Sequence, residues 1–480
     1  MKWLQAPDYW LARLVVQRGL AGIYVVAFLV AVNQFRPLLG EHGLLPVPRF
    51  LARAPFRRAP SVFKLHYSDR FASLIAWSGV VVAGAAVLGL PERGPVWLSM
   101  LTWFVLWALY LSFVNVGQTF YAFGWESLLC EAGFLAIFLG PASTAPPTLL
   151  ILAFRWLLFR LEFGAGLIKL RGDRCWRDLT CLHYHHETQP MPNPLSWYFH
   201  HLPSALHKVE VLGNHFAQLV APLALFAPQP LAALAGGVMV VTQLWLVLSG
   251  NFSWLNAVTI VIAVAAFDDA VLGRVLSVEH SALSGPPGWC QGAVVALAVV
   301  VVVLSWRPVK NMASRRQLMN TSFDQLRLVN TYGAFGSVTK QRYEVVIEGT
   351  AEAAPGAAEW REYEFKGKPG DPRRRPPQVA PYHLRLDWLM WFVALPGPFD
   401  DRWLVALLVK LLRNDRATLR LLRRNPFPDH APAAVRATLW RYRFSTRRER
   451  RETGAWWVRA KVGEYLPPMQ LSARQPPVDS

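Results

Sequence analysis

From Val211 to Phe267 the sequence contains no Asp, Glu, Lys or Arg. A charge-free run of that length is too long for one buried core helix and long enough for two or more bilayer crossings, which excludes a wholly soluble fold. Cysteine is scarce, with 4 in 480 residues, and that excludes a scaffold built on disulfides. Acidic residues are outnumbered by basic ones, 31 to 50. Enzyme signatures are missing as well: there is no Gly-x-Ser-x-Gly, no GxxxxGK(S/T), no GxGxxG and no redox CxxC. No internal repeat is visible, and the only biased tract is the Pro-rich tail.

What is present is unevenly spread. Apolar residues concentrate in positions 1–306, where charge-poor windows predict about nine spans, at 16–36, 72–90, 96–117, 123–140, 148–170, 209–227, 231–249, 252–267 and 290–306. Leu20 to Val32 follows Lys2, Arg13 and Arg18 like a secretory signal, but no small-residue cleavage site comes after it, so it reads as the first span. Nine crossings put the loop from Pro37 to Arg70, the polar segment 171–208 and the C-terminal third on one face. Arg49, Arg53, Arg57, Arg58, Lys64 and Arg70 in that loop assign the face to the cytoplasm by the positive-inside rule.

From Arg307 onward there are 31 basic and 17 acidic residues, so +14 of the net charge of +19 lies in residues 307–480. Beside a membrane, such charge fits anionic lipid headgroups, at about 1 kcal/mol per Lys or Arg. The runs Arg373 to Arg375 and Arg447 to Arg451 lack the interleaved aromatics of a nucleic-acid platform, so no nucleic-acid partner is expected. Alternation at Tyr343, Val345, Ile347 and at Trp440, Tyr442, Phe444 predicts strands. Leu404, Leu407, Leu408, Leu411 and Leu412 predict an amphipathic helix over Asp401 to Arg424, covering that sheet or lying on the bilayer, with packing on the sheet the better fit. The expected fold is a polytopic α-helical membrane bundle, residues 1–306, followed by a basic, β-rich soluble domain, residues 307–480.

Two groups of residues carry candidate chemistry. The fifth window holds Arg155, Arg160, Glu162 and Lys169 in an otherwise apolar run. Arg155, Glu162 and Lys169 share a helix face at spacings of seven, about 10 Å apart along the axis, too far for good mutual pairing. A cation at membrane depth costs about 2.5 to 3.5 kcal/mol, so a neighbouring helix should supply the opposite charge, and Glu126 and Glu131 are the candidates. The cluster reads either as a polar chamber that binds a headgroup or moves a proton, or as a salt-bridge network that sets helix register.

The second group is the polar segment GDRCWRDLTCLHYHHETQPMPNP from Gly172 to Pro194, with Cys175, Trp176, Asp178, Cys181, His183, His185, His186 and Glu187. Cys175 and Cys181 bridge if the segment folds back and faces an oxidising compartment; two free thiols fit equally. Cys181 with the histidines lacks the spacing of known zinc motifs, and no metal or cofactor is expected. A general base oriented by Asp178 or Glu187 is conceivable, but an interfacial surface that binds a partner, with Trp176, Tyr184, Trp197 and Tyr198 at headgroup level, fits better.

This segment, extended to LSWYFHHLP, resembles the lipase maturation factor family, as do FYAFGWESLLCEAGFLAIFL, LSGNFSWLNAVTI, VNTYGAFGSVTKQRYEVVIEGT, EFKGKPGDPRRRPPQVAPYHLRLDWLMWF and WWVRAKVGEYLPP. The resemblance covers almost the whole chain. It implies a multi-pass protein of the endoplasmic reticulum membrane that is not an enzyme and helps secreted lipases fold and assemble. It also implies that residues 307–480 and 171–208 face the lumen and meet the client, against the charge rule; there Cys175 and Cys181 would form a disulfide or redox pair. The Arg- and Ala-rich composition points to a bacterial member, which would sit in the inner membrane and serve another client. The alternative is a membrane-embedded enzyme acting on a lipid-borne substrate through the intramembrane charges.

Overall fold

The computed structural model describes residues 4–278, 282–352, 359–395 and 402–471. Nine helices of nine residues or more build the N-terminal region among these residues: α1 (Trp10–Leu39), α2 (Asp69–Val87), α3 (Val96–Val116), α4 (Gly124–Ala136), α5 (Thr148–Arg171), α6 (Ser204–His215), α7 (Leu231–Ser249), α8 (Leu255–Ala263) and α9 (Gly288–Ala313). α6 continues to Phe226 through a π turn and a 3-10 turn. The change of pitch falls where Pro222 has no N–H to give to the α-helical ladder.

Six of the nine are long and apolar enough to cross a membrane: α1, α2, α3, α6 with its extension, α7 and α9. The windows 123–140, 148–170 and 252–267 fold differently from the expectation of about nine spans. α4 has 13 residues, about 20 Å of helix against a hydrocarbon core of about 30 Å, and all of it except Phe134 is buried in protein. α8 is shorter still, and α5 carries the charges noted above. These three form an interior layer that the longer helices surround.

Close approach between α1 and α2 follows from residue size. Ala72, Ala76, Gly79, Ala83 and Ala86 make a buried stripe along α2, the small-residue packing that brings membrane helices together. A Cβ at Gly79 would run into the ring of Phe28 on α1. At the end where α1 begins, the Arg13 guanidinium donates to Thr144 O (2.6 Å) and Ala142 O (3.2 Å), tying α1 to the loop between α4 and α5.

The C-terminal domain forms a cap over the opposite end. Its antiparallel sheet has the order β4-β3-β5-β6, with β3 (Arg342–Thr350), β4 (Arg361–Glu362), β5 (Ala434–Phe444) and β6 (Trp457–Met469); a small hairpin, β1 (Thr321–Ser322) and β2 (Asn330–Thr331), precedes it. The predicted strands pair in register, with Tyr343 opposite Arg441 and Val345 opposite Leu439. α10 (Arg385–Val393) and α11 (Arg402–Leu412) pack on the sheet. All five predicted leucines of α11 are buried. The helix ends at Leu412 rather than near 424, because Asn414 takes a left-handed conformation (φ 50°) and Asp415 caps a new short turn. Asp401 and the Pro-rich tail lie outside the described residues.

The loop after α1, the polar segment and the cap do meet on one face. Asn115 at the end of α3 donates to both Pro60 O and Gln325 O at 3.0 Å, and Gln34 near the end of α1 donates to His383 O at 2.7 Å. The strongest link is ionic: Arg385 on α10 pairs with Glu126 on α4 (2.7 Å), donates to Phe120 O (2.7 Å), and both side chains are inaccessible to solvent. Arg385→Ala leaves Glu126 buried without its cation, a loss of about 3 to 5 kcal/mol. The expected outcome is a lowered unfolding midpoint in detergent and release of the cap by limited trypsin digestion; the double change Glu126→Leu with Arg385→Leu recovers part of it.

Candidate functional site

The intramembrane charges divide between two environments. Glu131 and Arg160 form a closed pair, each about 1% exposed at the side chain. Glu131 Oε2 also accepts from Asn330 N (2.9 Å), Asn330 Nδ2 (2.8 Å) and the Tyr332 hydroxyl (2.7 Å), while Arg160 Nη1 donates to Asn330 O (2.6 Å). This pair therefore holds the β2 strand in the bundle. Glu126, the other expected partner of α5, does not touch α5; it is taken by Arg385 and by the Tyr110 hydroxyl. Among the described residues Arg155 meets no carboxylate. It donates to Ala265 O (2.9 Å), Leu225 O (3.1 Å) and the Tyr9 hydroxyl (2.8 Å), gathering the ends of three elements at the face away from the cap.

Glu162 and Lys169 line a cavity of about 530 Å³ beneath the cap. Glu162 accepts from Gln218 Nε2 (3.1 Å) and Gln243 Nε2 (2.7 Å), and Gln243 is itself held by Asn256 (2.7 Å). Lys169 Nζ donates to Asn214 Oδ1 (3.0 Å) and Gln218 Oε1 (2.9 Å) and lies 4.8 Å from the centre of the Trp176 ring. One amide, Gln218, thus bridges two opposite charges that their helical spacing keeps apart. The amides were the readable signal that sequence reasoning passed over: Asn214, Gln218, Gln243 and Asn256 are polar side chains inside an otherwise charge-free run.

The polar segment folds into the joint between bundle and cap. Cys175 and Cys181 form a disulfide, with Cα atoms 4.8 Å apart, and pack with Trp176, Val211 and Val338. Both sulfurs belong to buried residues, so an approaching client thiolate cannot reach them. Trp176 and Trp197 are buried too, at 3% and 5% exposure, and so are not headgroup anchors; Tyr198 is exposed. Asp178 is exposed, 3.1 Å from Arg174. Glu187 accepts from Phe444 N (2.7 Å) on β5. Its carboxyl is pushed above the usual range by burial, with Phe444 N–H and Arg342 opposing. Arg342 on β3 donates to Glu187 O (2.9 Å) and Pro190 O (3.0 Å) while pairing with Glu344 (2.6 Å), which Lys368 also neutralises (2.7 Å).

The histidines and Cys181 do not converge as one ligand set. Cys181 is used in the disulfide, His183 bonds Thr180 O (3.1 Å) and Ser204 Oγ (3.0 Å), and His185 packs edge-on against Phe335. His186 turns toward α6, where it meets His207 and Glu210, residues the sequence did not single out. Also unforeseen was His383, enclosed by the rings of Phe123, Trp125, Trp254 and Trp388.

Six helices long and apolar enough to cross a membrane, packed around a buried ionic layer and closed on one face by a covalently continuous β-sheet cap, define a polytopic membrane protein with an extramembrane domain. Two family models match it, the lipase maturation factor transmembrane domain over residues 11–274 and the lipase maturation factor C-terminal domain over residues 328–467. Lipase maturation factor 1 of Bos taurus and of Homo sapiens are each 44% identical to it, the first across 97% of this chain and 90% of its own length, the second across 98% and 90%. Lipase maturation factor 2 of Homo sapiens is 29% identical across 96% of this chain and 83% of its own length. No solved structure matches. The chain belongs to the lipase maturation factor family, a family of multi-pass proteins of the endoplasmic reticulum membrane.

Buried and half-buried imidazoles outside the spans, His383, His185 and His200 among them, give the fold a pH signature. Burial, with Arg385 close by, holds His383 down to about 4 although Glu126 lies 3.6 Å away, because Arg385 already neutralises that carboxylate. Burial, then His186 and Lys169, holds His185 at about 3. An unfolded histidine takes its proton near pH 6.5 and the folded ones do not, so acid favours unfolding. The unfolding midpoint is expected to be flat above about pH 6.5 and to fall below it toward pH 4, at about 1.4 kcal/mol per pH unit for each histidine. Replacing His383 by Gln removes one of these contributions and makes the fall shallower; an unchanged pH profile in that variant contradicts the assignment.

Proposed function

We propose that this protein is a membrane-resident maturation factor that helps secreted lipases reach their active, assembled form. The observation that carries this reading is the 44% identity to Lipase maturation factor 1 along 97% of the chain, which includes bundle, joint and cap alike. The geometry supports it: the cap is held over the bundle by buried pairs and offers the client a surface of Tyr198, His201, Arg447, Arg450 and Arg451 laid over the buried Trp197. There the Arg450 guanidinium lies 3.5 Å from the Trp456 ring centre and 4.6 Å from that of Trp197. Stacked Arg and aromatic side chains are the residue types that dominate binding energy at protein interfaces. Of the polar segment, Arg174, Arg177 and Asp178 face solvent, while Cys175, Trp176, Cys181, His185 and His186 are buried.

The cap faces the lumen in this reading. The Cys175–Cys181 disulfide supports that side, since such bonds persist in oxidising compartments, and a long domain is translocated regardless of its charge. Exposed Phe56, flanked by exposed Arg53, Arg57 and Arg58, suits anionic headgroups at the same interface. A cysteine introduced at exposed Thr453 is expected to resist an impermeant maleimide in intact microsomes and to react once they are permeabilised; labelling of intact vesicles contradicts the lumenal placement.

Activity decides the main proposal. In cells without their own factor, co-expression is expected to leave the amount of a secreted lipase unchanged and to raise its specific activity severalfold; equal specific activity with and without this chain overturns the reading. One observation favours a second reading, an enzyme acting on a lipid-borne substrate: Glu162 and Lys169 face a cavity large enough for an amphiphile. Full maturation activity in a Lys169→Met chain counts against it.

A further inference from the structure

Beside that cavity, two elements bring together three donors that the maturation reading leaves unused. His186 comes from the short helix Leu182–Thr188, and His207 and Glu210 come from the first turns of α6, where a spacing of three residues places both on one face. Their ligand-capable atoms all lie within 4.8 Å of one another. His207 Nδ1 is 2.9 Å and His186 Nε2 is 3.7 Å from Glu210 Oε2. His186 and His207 are each 2% exposed.

Three features distinguish this cluster from an internal hydrogen-bond network. Neither ring nitrogen of His186 has a hydrogen-bond partner, a cost that a buried polar group rarely bears without a ligand. The other atoms are held from outside. His207 Nδ1 hydrogen-bonds Glu210 Oε2 (2.9 Å), and moving its proton to Nε2, 3.4 Å from His200 O, turns the Nδ1 lone pair toward an ion; Trp245 Nε1 donates to Glu210 Oε1 (2.8 Å) and leaves Oε2 turned inward. An imidazole whose second nitrogen donates to a carbonyl, beside a carboxylate that is itself hydrogen-bonded, is how proteins prepare metal ligands. Finally, His186 and Glu210 line the cavity and His207 does not, so the three donors sit to one side of a point that opens into the cavity.

We propose that His186, His207 and Glu210 bind a divalent transition ion, zinc by ligand type, with its fourth coordination position facing the cavity. Two imidazoles and one carboxylate suit zinc, and an open fourth position separates a site that receives a ligand from a purely structural one. Tetrahedral bonds of about 2.0 to 2.1 Å place donors about 3.4 Å apart, so the outermost pair closes in by a small rotation of the His186 ring. The ion would join the polar segment to α6 and present a Lewis acid at the wall of the chamber that holds Glu162 and Lys169. The site goes beyond the maturation reading and stands or falls independently of it.

The test uses the full chain in detergent, purified without a polyhistidine tag, stripped with a chelator and titrated with Co(II). The expected result is one saturable equivalent, with the intense visible bands of a four-coordinate ion, displaced by Zn(II). His207→Gln and Glu210→Gln are each expected to weaken binding by about tenfold or more. His183→Gln, whose ring centre is 4.9 Å from that of His207 but whose nitrogens are bonded elsewhere, leaves it unchanged. X-ray absorption on the zinc-loaded natural chain needs no variant and should give nitrogen and oxygen neighbours only, at about 2.0 Å. No saturable uptake, sulfur among the neighbours, or equal loss in all three variants overturns the site.

Discussion

Charge in the interior of a membrane bundle has to be neutralised by the chain itself, and this requirement organises the whole molecule. The 13-residue α4 carries Glu126 and Glu131 at full burial, and only one of their cations comes from the bundle. Arg160 serves Glu131 together with Asn330 and Tyr332, and Arg385 serves Glu126 from the cap. Each pair is individually poor evidence of net stability, since desolvation offsets much of its attraction. What the pairs provide is position. A cap that drifted away would strand a carboxylate in an apolar interior, so bundle and cap are bound to one geometry.

The polar segment works by the same logic at the next level. Arg342, neutralised inside the cap by Glu344, uses its remaining N–H groups on Glu187 O and Pro190 O, and Glu187 answers by accepting from Phe444 N. Asn251, between α7 and α8, accepts from Val379 N and Ala380 N at 2.8 Å and fixes the cap from a second loop. The segment is thus internal structure on one side and exposed surface on the other. Its burial explains why a stretch so rich in Cys, His and Trp carries none of the usual catalytic spacings. Those residues pack a joint, and the exposed client surface is made by neighbours such as Tyr198 and Arg450.

Much of this was legible from the chain alone, and the failures have a common cause. Charge-free windows located the helical segments, because hydropathy over about 20 residues reports directly on transfer into lipid. Alternation at Tyr343 to Ile347 and at Trp440 to Phe444 located β3 and β5, because a strand with one buried face repeats every two residues. The helix over the sheet was foreseen from five leucines and then drawn too long, since a single left-handed Asn414 ends it. Partners were read less well. Glu126 was assigned to α5, although its cation lies 259 residues away, and His186 was grouped with its sequence neighbours rather than with His207 and Glu210.

The sequence by itself therefore determined which segments are apolar helices, which alternate as strands, and that the ionic groups among apolar residues had to turn inward, because each is a local property of side-chain transfer and backbone period. Tertiary structure alone decided which groups they meet. Helical spacing sets the direction in which a side chain points, but the atom at the end of that direction belongs to whichever distant element packs there. The Glu126–Arg385 pair, the Gln218 bridge between Glu162 and Lys169, and the chamber beside His186 exist only once α4, α5, α6 and the cap have closed on one another.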